Sequence, residues 1–205
     1  MSRGVFVTFE GCEGCGKSTH INLLKDYLEG KGLPFKVLRE PGGTVLGEEI
    51  RHLLKSPKYS PCAEAELLLM NASRAQLVRE TIIPALSSGE MVICDRFYDS
   101  TLAYQGYGRG LEINMVNQVI RAATSISPDV TFFIDLSPEQ GMANIKYKNN
   151  QGDRFDDETL AFHNRVYAGY KRIIEDDKRF RVIPYIPDGV THMQGQIRFE
   201  LSMFL

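Results

Sequence analysis

The run Gly11-Cys12-Glu13-Gly14-Cys15-Gly16-Lys17-Ser18-Thr19 has the residue types and spacing for phosphate chemistry. It satisfies G-x-x-x-x-G-K-[ST] at every fixed position. It directly follows the apolar run Val5–Phe9 and opens a helical pattern with Ile21, Leu24, Tyr27 and Leu28 on one face. Strand, glycine loop and helix in that order are the context the motif requires. Gly11, Gly14 and Gly16 permit backbone angles and close approaches that a side chain blocks. The loop N–H groups and the helix N-terminus then form a concave anion site. Lys17 has the reach for β- and γ-phosphate oxygens, and the Ser18 hydroxyl can ligate Mg²⁺. The chain reads as a binder of a nucleoside triphosphate.

Other chemistry-bearing residues follow further short apolar runs. Arg39-Glu40-Pro41-Gly42-Gly43-Thr44 comes after the second. Asp95-Arg96-Phe97, Ser100-Thr101 and Tyr104-Gln105-Gly106 come after the third, and Asp135 after the fourth. In open α/β sheets, ligands sit beyond the carboxyl ends of the strands, which is where these residues fall. No N-K-x-D guanine reader is present. Arginines after the strands suit a kinase acting on a small, already phosphorylated molecule. Bringing two phosphates together is mostly a matter of positioning and charge neutralisation.

Elements must hold these groups in place. Val5–Phe9, Phe35–Leu38, Met91–Cys94, Val130–Leu136 and Phe180–Tyr185 read as buried strands. Helical spacing runs over Ser18–Lys31, Val45–Leu54, Ala63–Ser88, Ile113–Thr124, Pro138–Lys148, Asp157–Asp176 and Val190–Phe204, with Pro84 kinking or ending the third. Helical crossovers between short apolar strands predict an α/β domain, a five-stranded parallel sheet flanked by helices. The 205 residues read as one domain over 1–205, and the polar stretch around Asn149–Asp153 reads as a mobile loop.

A formal net charge of −2 gives no global field for nucleic acid or an anionic membrane, so phosphate-binding charge must be local. No apolar run approaches a membrane span, and Met1–Gly4 leads straight into a strand, which predicts a cytoplasmic protein. Cys12, Cys15, Cys62 and Cys94 are too scattered for a disulfide framework. The Cys12/Cys15 pair reads as loop filler, with oxidation that pinches the loop as the lesser alternative.

The quoted segments resemble bacterial thymidylate kinases. The resemblance rests on Phe9-Glu10-Gly11, Arg39–Thr44, Ala72-Ser73-Arg74-Ala75-Gln76-Leu77, Asp95-Arg96, Ala103–Gly106 and Asp153-Arg154, in that order, over about residues 5 to 170. It implies a P-loop nucleoside monophosphate kinase fold with a mobile lid at about 144–157, and transfer of the γ-phosphoryl of Mg·ATP to dTMP. It further implies that Arg39 clamps the dTMP phosphate, that Arg96 bridges donor and acceptor phosphates, and that Asp95 supports Mg²⁺ or orients Arg96. Arg74, Gln105 and Thr101 are implied base contacts, Tyr104 packs beneath the sugar, and Glu13 lies near the 3′-hydroxyl and the metal. A homodimer is also implied.

Two departures stand out. Met70 occupies the position of an aromatic that stacks on thymine, and a thioether packs on a ring less tightly. The phosphate loop carries Cys15 where some relatives place arginine, so Arg154 is expected as an ATP-side or lid residue, with Lys146 and Lys148 as weaker candidates and Asn144 in the same stretch. Two rivals stay open: a kinase for another nucleoside or pyrimidine monophosphate, and a nucleotide-binding module without turnover.

Overall fold

A computed structural model describes residues 3–148, 154–155, 158–175 and 177–205, with the backbone alone for 146–148. Strands β1 (Phe6–Glu10), β2 (Phe35–Arg39), β3 (Met91–Asp95), β4 (Val130–Asp135) and β5 (Phe180–Pro184) form one sheet in the order β2-β3-β1-β4-β5. Every pairing is parallel. β1, β3 and β4 are buried almost throughout, as strands covered on both faces must be. The register sets Asp95 opposite both Phe9 and Arg39, so three strands end level and deliver their next residues to one edge.

On one face, α1 (Lys17–Gly30) and α9 (Val190–Ser202) pack Leu24, Leu28, Ile197 and Leu201 against Val7, Phe9 and Phe132. The rest of the crossovers are α2 (Val45–Lys55), α3 (Ala63–Leu77), α4 (Ile83–Ser87), α5 (Tyr98–Thr101), α6 (Ile113–Ala123), α7 (Pro138–Lys148) and α8 (Leu160–Glu175). Thr44 caps α2 by accepting from Gly47 N at 2.9 Å. Among the described residues no helix is long and apolar enough to cross a membrane.

Two local results differ from the sequence reading. Pro84 does not break the long third helix: α3 widens into a π turn at Val78–Ile82, and Pro84 then falls in the first turn of α4, where its missing N–H costs nothing. The stretch after β3 is helical. α5 continues as a π-helical segment over Leu102–Gly108, despite two glycines that argue against helix. Packing on α8 overrides propensity here. A Cβ on Gly108 would lie 2.8 Å from Val166 Cγ2, and one on Gly169 would lie 2.7 Å from the Tyr107 side chain.

Candidate active site

A cleft of about 390 Å³ opens along the carboxyl edge of β1, β2 and β3. At one end lies the phosphate loop. Gly14 and Gly16 take positive φ (71° and 93°), and Glu13, Lys17, Ser18 and Thr19 face the cleft. Lys17 Nζ donates to Gly11 O and Cys12 O, both at 3.1 Å, which holds the ammonium over the loop. The side chains of Cys12 and Cys15 are buried beneath the loop, and neither lines the cleft. Burial, then the neighbouring Cys15, pushes the Cys12 thiol up to about 12.

Helix α7 braces the loop from behind. Asn144 Nδ2 donates to Gly14 O at 3.0 Å. A Cβ on Gly14 would fall 2.2 Å from Gly141 O, and one on Gly141 would fall 2.3 Å from Glu13 O. Of the expected lid at 144–157, residues 149–153 and 156–157 lie outside the described residues, as do the side chains of Lys146 and Lys148.

Ser18 Oγ donates to Asp95 Oδ2 at 3.3 Å, while Asp95 Oδ1 is buried without a hydrogen-bond partner among the described residues. A hydroxyl beside a carboxylate with an unused oxygen is a hard-oxygen set, and it fits Mg²⁺.

Arg96 stands at the centre. Its backbone is left-handed (φ 71°), unusual for a residue with a side chain, and this turns the guanidinium back over the loop. Nη2 donates to Glu13 Oε1 at 2.8 Å and Tyr104 OH at 3.1 Å; Nη1 donates to Ser100 Oγ at 3.0 Å and Tyr170 OH at 3.1 Å. Ser100 and Tyr170 in turn donate to Glu10 Oε2 at 2.6 and 2.7 Å, and Glu10 Oε1 takes Phe97 N at 2.7 Å. Burial, helped by Asp99, raises Glu10 to about 7. Desolvation acts the same way on Glu13, but Arg96, then Lys17 and Lys55, outweigh it and hold that carboxyl down at about 2.

At the other end, Arg74 is almost fully buried. Nε and Nη2 donate to Glu40 Oε2 at 2.8 and 2.7 Å, Nη2 also to Thr101 Oγ1 at 2.9 Å, and Nη1 to Asn71 Oδ1 at 2.8 Å. A guanidinium has five N–H donors, so one on Nη1 has no partner among the described residues. Met70, Thr101, Tyr104 and Gln105 complete this recess, and Phe155 adds an aromatic ring near Tyr104. Arg39 lies between the two ends, exposed and paired with Glu48 at 2.8 Å.

Most of the expected site residues line the cleft; among the described residues Gly11, Cys12, Cys15 and Arg154 do not. Cys12 and Cys15 are core residues. Arg154, expected as an ATP-side or lid residue, does not line the cleft: its Nε donates to Leu54 O at 2.9 Å, and its Nη2 pairs with Glu66. That carboxylate, already engaged by Arg109, is a stronger attractor than open solvent. Sequence reasoning missed Glu40, Glu66, Tyr170, Arg51 and Lys55. Arg51 and Lys55 also line the cleft, and their i, i+4 spacing on α2 was a usable signal. Glu66 shares a helix face with Met70, Ser73 and Arg74, which was another.

A phosphate-loop motif after the first strand of a five-stranded parallel sheet flanked by helices, opening on a cleft lined by Arg39, Arg74 and Arg96, marks a P-loop nucleoside monophosphate kinase fold. A family model described as Thymidylate kinase matches residues 9–189. A thymidylate kinase of Carboxydothermus hydrogenoformans is 50% identical over 204 residues, covering 99% of this chain and 97% of that one. One from Halothermothrix orenii is 48% identical over 181 residues, 87% of each chain. The crystal structure of thymidylate kinase from Ehrlichia chaffeensis superposes with a TM-score of 0.79 at 31% identity, over 98% of this chain and 99% of that one. The chain belongs to the thymidylate kinase family.

Proposed function

We propose that this protein transfers the γ-phosphoryl of ATP to dTMP, giving ADP and dTDP. The observation that carries the reading is the continuity of one cleft from the phosphate loop to a recess where buried Arg74 keeps one N–H unused beside Gln105.

In this reading the loop amides from Glu13 to Thr19 and Lys17 hold the β- and γ-phosphates. Ser18 and Asp95 would hold Mg²⁺, directly or through water, and its charge would offset that of the phosphates. Arg39 forks onto the dTMP phosphate, which its exposed, weakly held ion pair with Glu48 leaves it free to do. Arg96 sits where donor and acceptor phosphates meet, with Glu13 fixing its plane. Arg74 donates to a thymine carbonyl, Gln105 meets N3–H, and Met70 packs on the ring. Tyr104 lies under the deoxyribose, where a 2′-hydroxyl collides.

We read the chain as one kinase domain with its lid near 144–157, working in the cytoplasm as a homodimer, the arrangement implied by family membership. Sedimentation tests the last point, and a monomer at working concentrations overturns it.

The direct test is ADP release from Mg·ATP with dTMP, dUMP, dCMP, ribothymidine monophosphate and thymidine offered separately. Preference for dTMP is the expected result. Turnover of thymidine but not dTMP contradicts the role of Arg39. ATP binding without any turnover sinks the assignment.

A further inference from the structure

Glu66 carries no solvent exposure, yet it is a carboxylate on a helix of the base recess. Four donor contacts converge on it. Oε1 accepts Gln105 Nε2 at 2.7 Å and Arg109 Nε at 3.1 Å; Oε2 accepts Arg109 Nη2 at 3.1 Å and also pairs with Arg154 Nη2. Burial alone raises its pKa, but the bonds from Arg109, Gln105 and Arg154 outweigh that, and the carboxyl lies below its ordinary value. It is therefore ionised at neutral pH, and an ionised carboxylate only accepts.

That has a consequence for Gln105. A carboxamide presents a donor at one end and an acceptor at the other, and its two flips are isosteric. A partner that only accepts leaves one flip. The NH₂ end is drawn to Glu66, and the oxygen end remains for the cleft that Gln105 lines. No donor among the described residues reaches Gln105 Oε1. An acceptor there suits a pyrimidine with a hydrogen on N3, as thymine and uracil have. Cytosine offers a lone pair at that atom, and two acceptors face to face repel.

We propose that Glu66 is a positioning residue for base selection: it locks the Gln105 amide with its oxygen toward the substrate, so that the recess takes N3–H pyrimidine monophosphates and rejects the cytosine analogue. The inference rests on the dTMP kinase reading above. It assigns Arg109 and Arg154 the task of keeping Glu66 charged and fixed.

Glu66→Gln is an informative variant because it keeps shape and reverses logic. The carbonyl oxygen of the substituted side chain takes the place of Oε2, where Arg109 Nη2 and Arg154 Nη2 both donate, so its NH₂ takes the place of Oε1 and faces Gln105, giving up the bond from Arg109 Nε. The Gln105 amide then turns its oxygen inward to that new donor and its NH₂ to the substrate. The expected result is a fall of at least about tenfold in the preference for dTMP over dCMP, measured as the ratio of kcat/KM values. The Kd for Mg·ATP stays unchanged. In a Gln105→Leu background the same substitution leaves the ratio unmoved, because no amide remains to turn. A ratio unchanged by Glu66→Gln in the parent overturns the proposal, as does an equal change in the Gln105→Leu background.

Wild-type protein supplies a second measurement if Glu66→Gln fails to fold. In glutamine-labelled protein, the Gln105 carboxamide protons are expected to show NOEs to the Glu66 γ protons, with and without dTMP. Transfer of those NOEs to the bound base overturns the proposal. Failure of the wild type to phosphorylate dTMP sinks the function assignment, and this inference with it. Normal dTMP turnover with an unmoved ratio sinks this inference alone.

Discussion

Glu13 Oε1 and Arg96 Nη2 meet at 2.8 Å, tying the phosphate loop after β1 to the turn after β3 across the cleft. Both groups are charged, since Arg96 is the largest of the influences that hold Glu13 ionised against desolvation. In the proposed reading, replacing Arg96 by Ala removes the cation between the donor and acceptor phosphates. We expect kcat to fall by about a hundredfold or more, with a smaller rise in KM. Glu13→Gln keeps a hydrogen bond to Arg96 and loses less. Steady-state ADP release distinguishes the two, and equal losses contradict this division of roles.

Arg74 holds Glu40 in the core, and the base-reading role proposed for it separates experimentally from that structural one. Arg74→Ala leaves Glu40 buried and unpaired, a loss of about 3–5 kcal/mol. The double variant Arg74→Met/Glu40→Leu restores most of that in a denaturant titration, because an apolar pair replaces an ion pair. Affinity for dTMP is not restored. Recovery of both together shows that Arg74 does not read the base.

Arg39 behaves in the opposite way. Its pair with Glu48 is exposed on both sides, 55% and 43%, and is worth less than about 1 kcal/mol. Arg39→Ala is therefore silent in thermal melts but raises KM for dTMP by roughly ten- to a hundredfold, the loss of charge-assisted bonds to phosphate. Arg39→Lys falls between, since an ammonium cannot fork.

Glu10 gives a pH signature. Its pKa rises from 4.5 in the unfolded chain to about 7 in the fold, so between those values the native state holds the extra proton. Stability then falls as pH rises through that window, by about 3 kcal/mol at most, and is flat above it. Melting curves at about pH 5 and about pH 8 show the drop in wild type; Glu10→Gln abolishes it. A rise in wild type across the same interval contradicts the assignment.

The cysteines test the lesser reading of the phosphate loop. Cys62 is exposed, whereas Cys12, Cys15 and Cys94 are buried, and burial raises the thiols of Cys12 and Cys94. A disulfide reagent is expected to modify Cys62 quickly and the others only after denaturation. ATP binding survives peroxide. Loss of ATP binding on mild oxidation revives the pinched-loop idea.

The legible parts of this molecule are those fixed by local rules. Gly11 to Thr19 encode their own conformation, and the buried strands show as apolar runs, so the sheet and the glycine loop between β1 and α1 followed from sequence. The clustering of Arg74, Thr101 and Gln105 on the cleft was expected only by resemblance, because they look like polar positions on any helix until Glu40 and Glu66 are seen beside them. The helix over Tyr98–Gly108 was hidden because its glycines are explained by α8, which lies far along the chain. The pairing of Arg154 with the buried Glu66 on α3 was hidden for a similar reason, since spacing cannot show a contact made so far along the chain. The expectations for Lys146, Lys148 and Asn149–Asp153 fall outside the described side chains.

Gly14 occupies a position that the phosphate-loop motif leaves open to any residue. Its backbone lies against Gly141, and Gly141 lies against Glu13, with no room for a methyl group on either side. The two glycines therefore work as one mechanical joint without side chains. A single substitution at either pushes the donor loop off α7, so neither position can be altered without moving the other's backbone. For anyone redesigning the donor specificity of this enzyme, the apparent freedom at Gly14 is illusory, and the usable positions lie elsewhere in the loop.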